Sequence, residues 1–266
     1  MQENKVDECS NECICSIDKC DILDFMAKHV GVKVLHPGGL KATNELMHLC
    51  NMCKDSKVLD IACGKGTSSY YFAKKIGCRV TGIDIEESLL KTAQTLSLKG
   101  EIGSKLTFKL ANAEELPFED NTFDIAIFQA AFVLMDNNQK ALQEASRVIK
   151  PGGKVGILEL TWLKNPTSEA LDEASTDVCA YCIPKARTSE GWEKLIVDSG
   201  LKVSYSKVYR MGESGVGDES LGTLINVMWK MITNSKIRNR VRKVDKYFNK
   251  YCEYLGYGIY IGEKII

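Results

Sequence analysis

The chain lacks net charge, with 35 Lys and Arg balanced by 35 Asp and Glu over 266 residues. No global field recruits nucleic acid, acidic lipid or an acidic substrate, so any charged partner has to be sought locally. Its N-terminus has no apolar core of the kind a signal peptide needs, and no run of 18 apolar residues occurs anywhere, so neither a secretory leader nor a membrane span is expected. Internal repeats and low-complexity tracts are missing as well. With 44% hydrophobic and 26% charged residues, what remains is the composition of an ordinary soluble globular protein. A cytoplasmic location follows as an expectation, with no membrane partner. What the chain has in excess is cysteine: 11 residues, an odd number that leaves a thiol unpaired in any complete disulfide scheme. Without secretion these thiols are expected to be reduced, leaving metal binding, substrate contact or core packing as their uses.

Residues 1–20 are polar and hold Cys9, Cys13, Cys15 and Cys20, which reads as a loose arm. From Asp21 to Cys53 apolar residues recur at helical spacing around Pro37, Gly38 and Gly39, predicting a cap of two helices joined at a Gly turn. The centre alternates strand-like runs with helical patterns. The runs are Lys57 to Ala62, Arg79 to Asp84, Leu106 to Leu110, Phe123 to Phe128 and Lys154 to Leu160; the helices are 66–76, 86–99 and 138–149. That rhythm predicts a doubly wound α/β domain over 54–266 on a parallel sheet. Beyond it come a polar stretch to Arg187, a helix from Glu190 to Ser199, and strands at Leu201 to Tyr209 and Gly256 to Gly262. Two inserted helices, 218–233 and 235–253, separate those strands, for seven strands in all with the last antiparallel.

The run from Val58 to Thr67 ends a buried strand and opens a helix through Gly64 and Gly66. Glycine there lets the backbone approach a ligand, and the helix N-terminus behind it offers unpaired N–H groups. Asp84 stands at the end of the next strand, 18 residues past Gly66, where a carboxylate can accept from both hydroxyls of a ribose. The third Gly of the dinucleotide fingerprint is missing, since Gly66 is followed by Thr67, Ser68 and Ser69. A nucleoside ligand without a pyrophosphate fits better.

On these residues the chain resembles the class I S-adenosylmethionine-dependent methyltransferases, and within them the small-molecule branch similar to the UbiE/COQ5 type. Four blocks carry the resemblance: VLDIACGKGT at 58–67, VTGIDIEESLL at 80–90, ANAEELPFEDNTFDIAI at 111–127 and ASRVIKPGGKVGILEL at 145–160. It implies a Rossmann-like fold, S-adenosyl-L-methionine as cofactor and a small-molecule acceptor. Asp60, Ala62, Gly64 and Gly66 would line the methionine end, Asp84 would bind the ribose, Ile85 beside it would also contact the cofactor, and Asn112, Ala113 and Glu114 would sit at the adenine. Gln129 would face the sulfonium. The family usually has Gly at position 62 and Asp at position 112, so Ala62 narrows the pocket and Asn112 offers the adenine amide chemistry without charge. These two departures leave room for a non-catalytic cofactor binder.

A sulfonium methyl is already activated, so the protein mainly aligns the nucleophile and excludes water. Candidate catalytic groups are His36, in the cap, Gln129, and Glu159 at the end of the fifth strand, expected to point toward the site; His29 and His48 read as structural. Cys50-x-x-Cys53 and Cys179-x-x-Cys182 could supply four zinc ligands, but their separation is far longer than a zinc ribbon uses, and no metal is expected. Cys63 and Cys78 read as sheet core. Cys179 and Cys182, with the arm cysteines, make the chain partly similar to arsenite methyltransferases, whose soft substrate thiolates would bind. Residues 230–250 hold eight basic side chains against Asp245, a local +7, interleaved with Trp229, Tyr247, Phe248 and Tyr251. An RNA-binding or RNA-modifying role is therefore a second class of reading, set against a plain solvated face over the stripe Ile237, Val241, Val244 and Phe248.

Overall fold

The computed structural model describes residues 25–31, 36–178, 183–211 and 221–265. The expected arm and its Cys9, Cys13, Cys15 and Cys20 lie outside the described residues, as do Cys179 and Cys182. Five aliphatic runs form parallel strands: β1 (Lys57–Ile61), β2 (Arg79–Asp84), β3 (Leu106–Leu110), β4 (Phe123–Gln129) and β5 (Ile149–Trp162). Three more follow, β6 (Arg187–Thr188), β7 (Lys202–Arg210) and β8 (Leu255–Glu263). The sheet order is β3-β2-β1-β4-β5-β8-β7; β8 runs antiparallel to both neighbours and β6 flanks the end of β5.

Helices cover both faces, which is why the central strands run near-continuously apolar through their middles rather than alternating. On one face lie α1 (Gly39–Leu49), α2 (Thr67–Ile76) and α3 (Glu87–Gln94), whose Leu46, Phe72 and Leu90 pack on Val58, Ile125, Ile127 and Leu158. On the other lie α4 (Asn138–Val148) and α5 (Ser189–Asp198), whose Leu142, Ala145, Trp192 and Ile196 pack on Leu59, Phe128 and Ile157. Between β7 and β8 the chain inserts α6 (Leu221–Thr233) and α7 (Ser235–Lys250). Ile237 of α7 packs with Phe25 and Val30 of the helical turn Phe25–Val30, while Tyr247 and Tyr251 pack on Trp162, Ala170 and Val178. The insertion thus bridges the cap and the carboxyl end of β5.

Several boundaries depart from the sequence expectation. The segment after Thr161, read as polar, contains a short helix, Ser168–Glu173, that widens into a π-helical turn, Ala174–Val178. Ala170, Ala174 and Val178 recur every fourth residue and are buried, too small and sparse an apolar stripe to stand out between Ser, Glu, Asp and Thr. The Thr167 hydroxyl caps it, accepting from the Ala170 N–H at 3.1 Å. β5 begins at Ile149, ahead of the Pro151-Gly152-Gly153 turn signal, and the pattern 86–99 breaks at Gln94 into the 3₁₀ turn Thr95–Leu98. β6 adds an eighth strand to the seven expected. Cys63 and Cys78 flank strands rather than lie within them, Cys63 half-buried after β1 and Cys78 buried before β2; Cys53, at the helix end, is exposed.

The seat of α1 depends on Gly156 of β5. A Cβ there would come within 2.7 Å of the Cys50 Sγ and 2.9 Å of Leu46 and Ile127 side-chain carbons. Gly156→Val is therefore expected to lift α1 from the sheet and cost about 1–3 kcal/mol of unfolding free energy, measured by urea denaturation.

Candidate functional site

β1 and β4 are adjacent and parallel, and the chain leaves them toward opposite faces of the sheet, into α2 and α4 respectively. Such a switch point opens a crevice at the carboxyl ends of the strands. Both exits are marked by a non-glycine residue in the left-handed region: Ala62 at φ 57° after β1, and Ala130 at φ 52° after β4. Backbone held this way stores strain and clusters where a ligand is received.

The glycine turn resolves into two different jobs. Gly64 sits at φ 54°, and a Cβ built on it would meet nothing within 4 Å, so its bare face looks into open space. Gly66 sits at φ 72° at the start of α2, and its Cβ would come within 2.7 Å of the Phe108 ring and 3.0 Å of Ala93. Gly64 leaves room beside the turn; Gly66 lets α2 close on β3. The sequence reading treated both as ligand-facing. Nothing near the turn could have separated them, because the discriminating atom belongs to Phe108.

Asp84 at the end of β2 holds the turn in place. Its Oδ2 accepts from the Gly64 N–H at 2.8 Å and its Oδ1 from the Glu86 N–H at 2.9 Å. Each carboxylate oxygen keeps a lone pair for a further donor. Ile85 beside it is exposed. Asp60, expected to line the ligand, is instead buried beneath the turn, where Oδ2 accepts from the Ser69 hydroxyl at 2.5 Å and ties α2 to β1. Burial, with the Asp84 charge adding to it, pushes the Asp60 carboxyl up to about 7 against the pull of the Ser69 hydrogen bond.

On the far side of the crevice, Asn112 Oδ1 accepts from the Glu114 N–H at 2.9 Å, and Glu114 Oε1 accepts from the Asn137 N–H at 2.9 Å. Ala113 packs against the core between them. Arg147 clamps the same loop, donating to the Leu116 and Phe118 carbonyls at 3.0 and 2.8 Å while paired to Glu144. The loop is thus fixed before any ligand arrives.

His36 and Gln129, 93 residues apart, are brought together. Gln129 Nε2 donates to Thr43 Oγ1 at 3.0 Å and lies 3.4 Å from His36 Nε2, and Thr43 Oγ1 lies 3.1 Å from that same nitrogen. His36 Nδ1 faces the Pro37 carbonyl at 3.3 Å, an arrangement that suits a proton on Nδ1 and a lone pair on Nε2. Gln129 Oε1 is buried without a partner. An orphaned buried acceptor at a crevice is a place for a ligand's donor. Thr43 was missed in the sequence; the available signal was its place on the cap helix two turns beyond His36.

Glu159 does not join this cluster. Side chains alternate along β5, and Glu159 shares the face of Ile157, opposite to Leu158 and to Gln129. It is fully buried; Oε1 accepts from the Phe132 N–H at 2.8 Å and Oε2 has no partner. Burial pushes its carboxyl up to about 8. Its evident work is to pin the turn that follows Gln129. Among the described residues no group of three His, Cys, Asp or Glu could hold a metal ion, and burial pushes the Cys50 thiol up to about 12. Of the four rings expected to offer base stacking, Tyr247 and Tyr251 are buried, Phe248 is half-buried and Trp229 is exposed.

Comparison with known proteins accords with this geometry. A methyltransferase-domain family model matches residues 59–157. An uncharacterized protein of Haemophilus influenzae is 33% identical over 181 residues, 67% of this chain and 71% of that protein. A ubiquinone/menaquinone biosynthesis C-methyltransferase of Idiomarina loihiensis is 37% identical over 132 residues, 48% of this chain and 51% of that enzyme. The chain thus spans about half the length of that relative. Among solved structures, the MccD protein superposes with a TM-score of 0.73 at 24% identity, covering 86% of this chain and 99% of that one.

The two buried carboxyls give a pH signature. Glu159 is raised from 4.5 to about 8 in the folded chain, so its contribution to stability is full below pH 4.5 and is lost as pH rises toward 8. The loss is at most about 1.4 kcal/mol per pH unit. Urea denaturation is expected to find the wild type less stable at pH 8 than at pH 5, and Glu159→Gln to flatten that decline, leaving the part due to Asp60, whose contribution is lost as pH rises from 3.8 to about 7.

Proposed function

The chain belongs to the class I S-adenosylmethionine-dependent methyltransferases, and on that premise we propose that it transfers a methyl group to a small-molecule acceptor. The observation that carries the proposal is the bare face of Gly64, where a Cβ would meet no protein atom within 4 Å, beside the Asp84 carboxylate at the switch point between β1 and β4. The donor set fits a nucleoside. Lone pairs on both oxygens of Asp84 would take the two ribose hydroxyls, the exposed Ile85 would lie under the adenine, and the Asn112–Glu114 loop would border its edge. Ala62 and Gly64 would face the methionine end.

S-adenosylmethionine supplies a methyl group already activated on sulfur, so this chain's residues have only to orient the acceptor, exclude water and remove a proton. Gln129, held by Thr43, would use its unpartnered Oε1 to accept a hydrogen bond from the acceptor. His36 would use Nε2 to receive the acceptor's proton once the Thr43 hydroxyl, 3.1 Å from that nitrogen, turns to the Gly39 carbonyl at 3.3 Å, with Nδ1–H anchored on the Pro37 carbonyl. Asp60 and Glu159 serve from beneath, one under each strand exit, and are better described as positioning residues than as catalytic ones. The small-molecule class is supported by the Idiomarina relative, whose name assigns it C-methylation in quinone biosynthesis.

Calorimetry with S-adenosylmethionine tests the reading. The wild type is expected to bind, and Asp84→Asn to weaken binding at least about tenfold, or about 1.4 kcal/mol. Gly64→Ala should abolish binding at a stability cost of about 1 kcal/mol, since its Cβ fills ligand space. Gly66→Ala should chiefly destabilise the fold, by collision with Phe108. Failure of the wild type to bind at millimolar cofactor, or unchanged binding by Gly64→Ala, would contradict the proposal.

A further inference from the structure

We propose that the α6–α7 insertion docks the protein peripherally on an anionic lipid bilayer. Ile225, Met228, Trp229 and Ile232 stand three and four residues apart on α6, forming one stripe, and are 57%, 62%, 65% and 71% exposed. The inward face of the helix is already used, because Val227 and Met231 pack with Phe25, Val30 and Ile237. The outer stripe therefore adds nothing to the described core. A contiguous apolar stripe rimmed by charge marks a contact surface.

Charge selects the occupant. Arg238 lines a groove together with Met228, Met231 and Ile232. Arg242 and Lys246 continue from Arg238 at successive turns of α7, and both are exposed. The apolar stripe is thus bordered by a basic line; within the +7 segment Lys243 is paired with Asp177 and Lys250 with Glu169 and Glu173, whereas Arg242 and Lys246 form no ion pair among the described residues, in a chain whose total charge is zero. A second copy of the chain would set two such faces against each other, and like-charge repulsion opposes that contact. RNA would want several exposed rings, whereas Tyr247 and Tyr251 are buried, Phe248 is half-buried, and Trp229 is the one exposed ring in an otherwise aliphatic α6 stripe. An anionic bilayer answers both features at once, with phosphates for the Arg–Lys line, hydrocarbon for Ile and Met, and the interface for Trp229. No described helix is long and apolar enough to cross a membrane, so the contact is a surface one. It goes beyond the expectation of no membrane partner, which rested on the missing span and the zero net charge.

Intrinsic fluorescence and vesicle sedimentation test this directly. Trp162 and Trp192 are buried, so a blue shift on adding vesicles reports Trp229. Phosphatidylcholine vesicles with about 30% phosphatidylglycerol should shift the emission and sediment the protein at low salt, and pure phosphatidylcholine should do neither. Arg242→Glu combined with Lys246→Glu should weaken binding at least about 25-fold, from about fivefold for each basic residue near the surface. Met228→Ser with Ile232→Ser should remove the blue shift while leaving the thermal transition and cofactor binding unchanged. Equal binding to neutral vesicles, no binding to anionic ones, or an unaltered shift in the Met228/Ile232 variant would overturn the proposal. So would a dimer, or a complex with RNA, formed in place of vesicle binding and lost on the same substitutions.

Discussion

β1 and β4 pair in parallel, Val58 against Ile125 through Ile61 against Phe128, and the chain then departs to opposite sides of the sheet. That single constraint creates the crevice, because two adjacent crossovers leaving in opposite directions cannot cover the strand ends between them. Every group assigned to the site answers to it. Ala62 and Ala130 take left-handed backbone conformations to make the two exits, Asp84 fastens the first exit through Gly64, and Glu159 fastens the second through Phe132. Binding residues and positioning residues divide along the same line. Those in the crevice face ligand space, whereas Asp60 and Glu159 lie in the core and tie structure together, Asp60 through the Ser69 hydroxyl and Glu159 through the Phe132 N–H.

The electrostatics follow from depth. Asp60 and Glu159 lie inside the two core layers, where desolvation favours the protonated acid, so the crevice rests on a floor whose charge depends on pH. Asp84, tied to two backbone N–H donors at the strand ends, keeps a lone pair on each oxygen for the ribose hydroxyls proposed to bind there. The cap adds the second half of the site. α1 brings Thr43 to Gln129 across 86 residues of sequence, and it can do so only because Gly156 leaves β5 flat beneath it.

Much of this could be read from the chain alone, for a physical reason. Parallel strands buried on both faces are near-continuous aliphatic runs, so β1 to β4 are found within a residue of their expected bounds. The glycine turn and Asp84 are local signals with fixed spacing. The features that escaped are those decided by distant atoms. Gly64 and Gly66 look alike until Phe108 is placed; Glu159 and Leu158 are neighbours in sequence yet face opposite layers; Tyr247 and Tyr251 resemble stacking platforms until the Ser168–Glu173 helix covers them. The basic charge of α7 was legible, but its juxtaposition with the apolar stripe of α6 required the hairpin between them.

The central claim, that the switch-point crevice receives the nucleoside of S-adenosylmethionine, is tested most directly by a crystal structure of the protein with S-adenosylhomocysteine. The account predicts both ribose hydroxyls on the Asp84 carboxylate, the adenine bordered by Ile85 and Asn112, and the amino-acid end against the bare face of Gly64. A ligand bound elsewhere, or one seated in the crevice with its ribose away from Asp84, would contradict it.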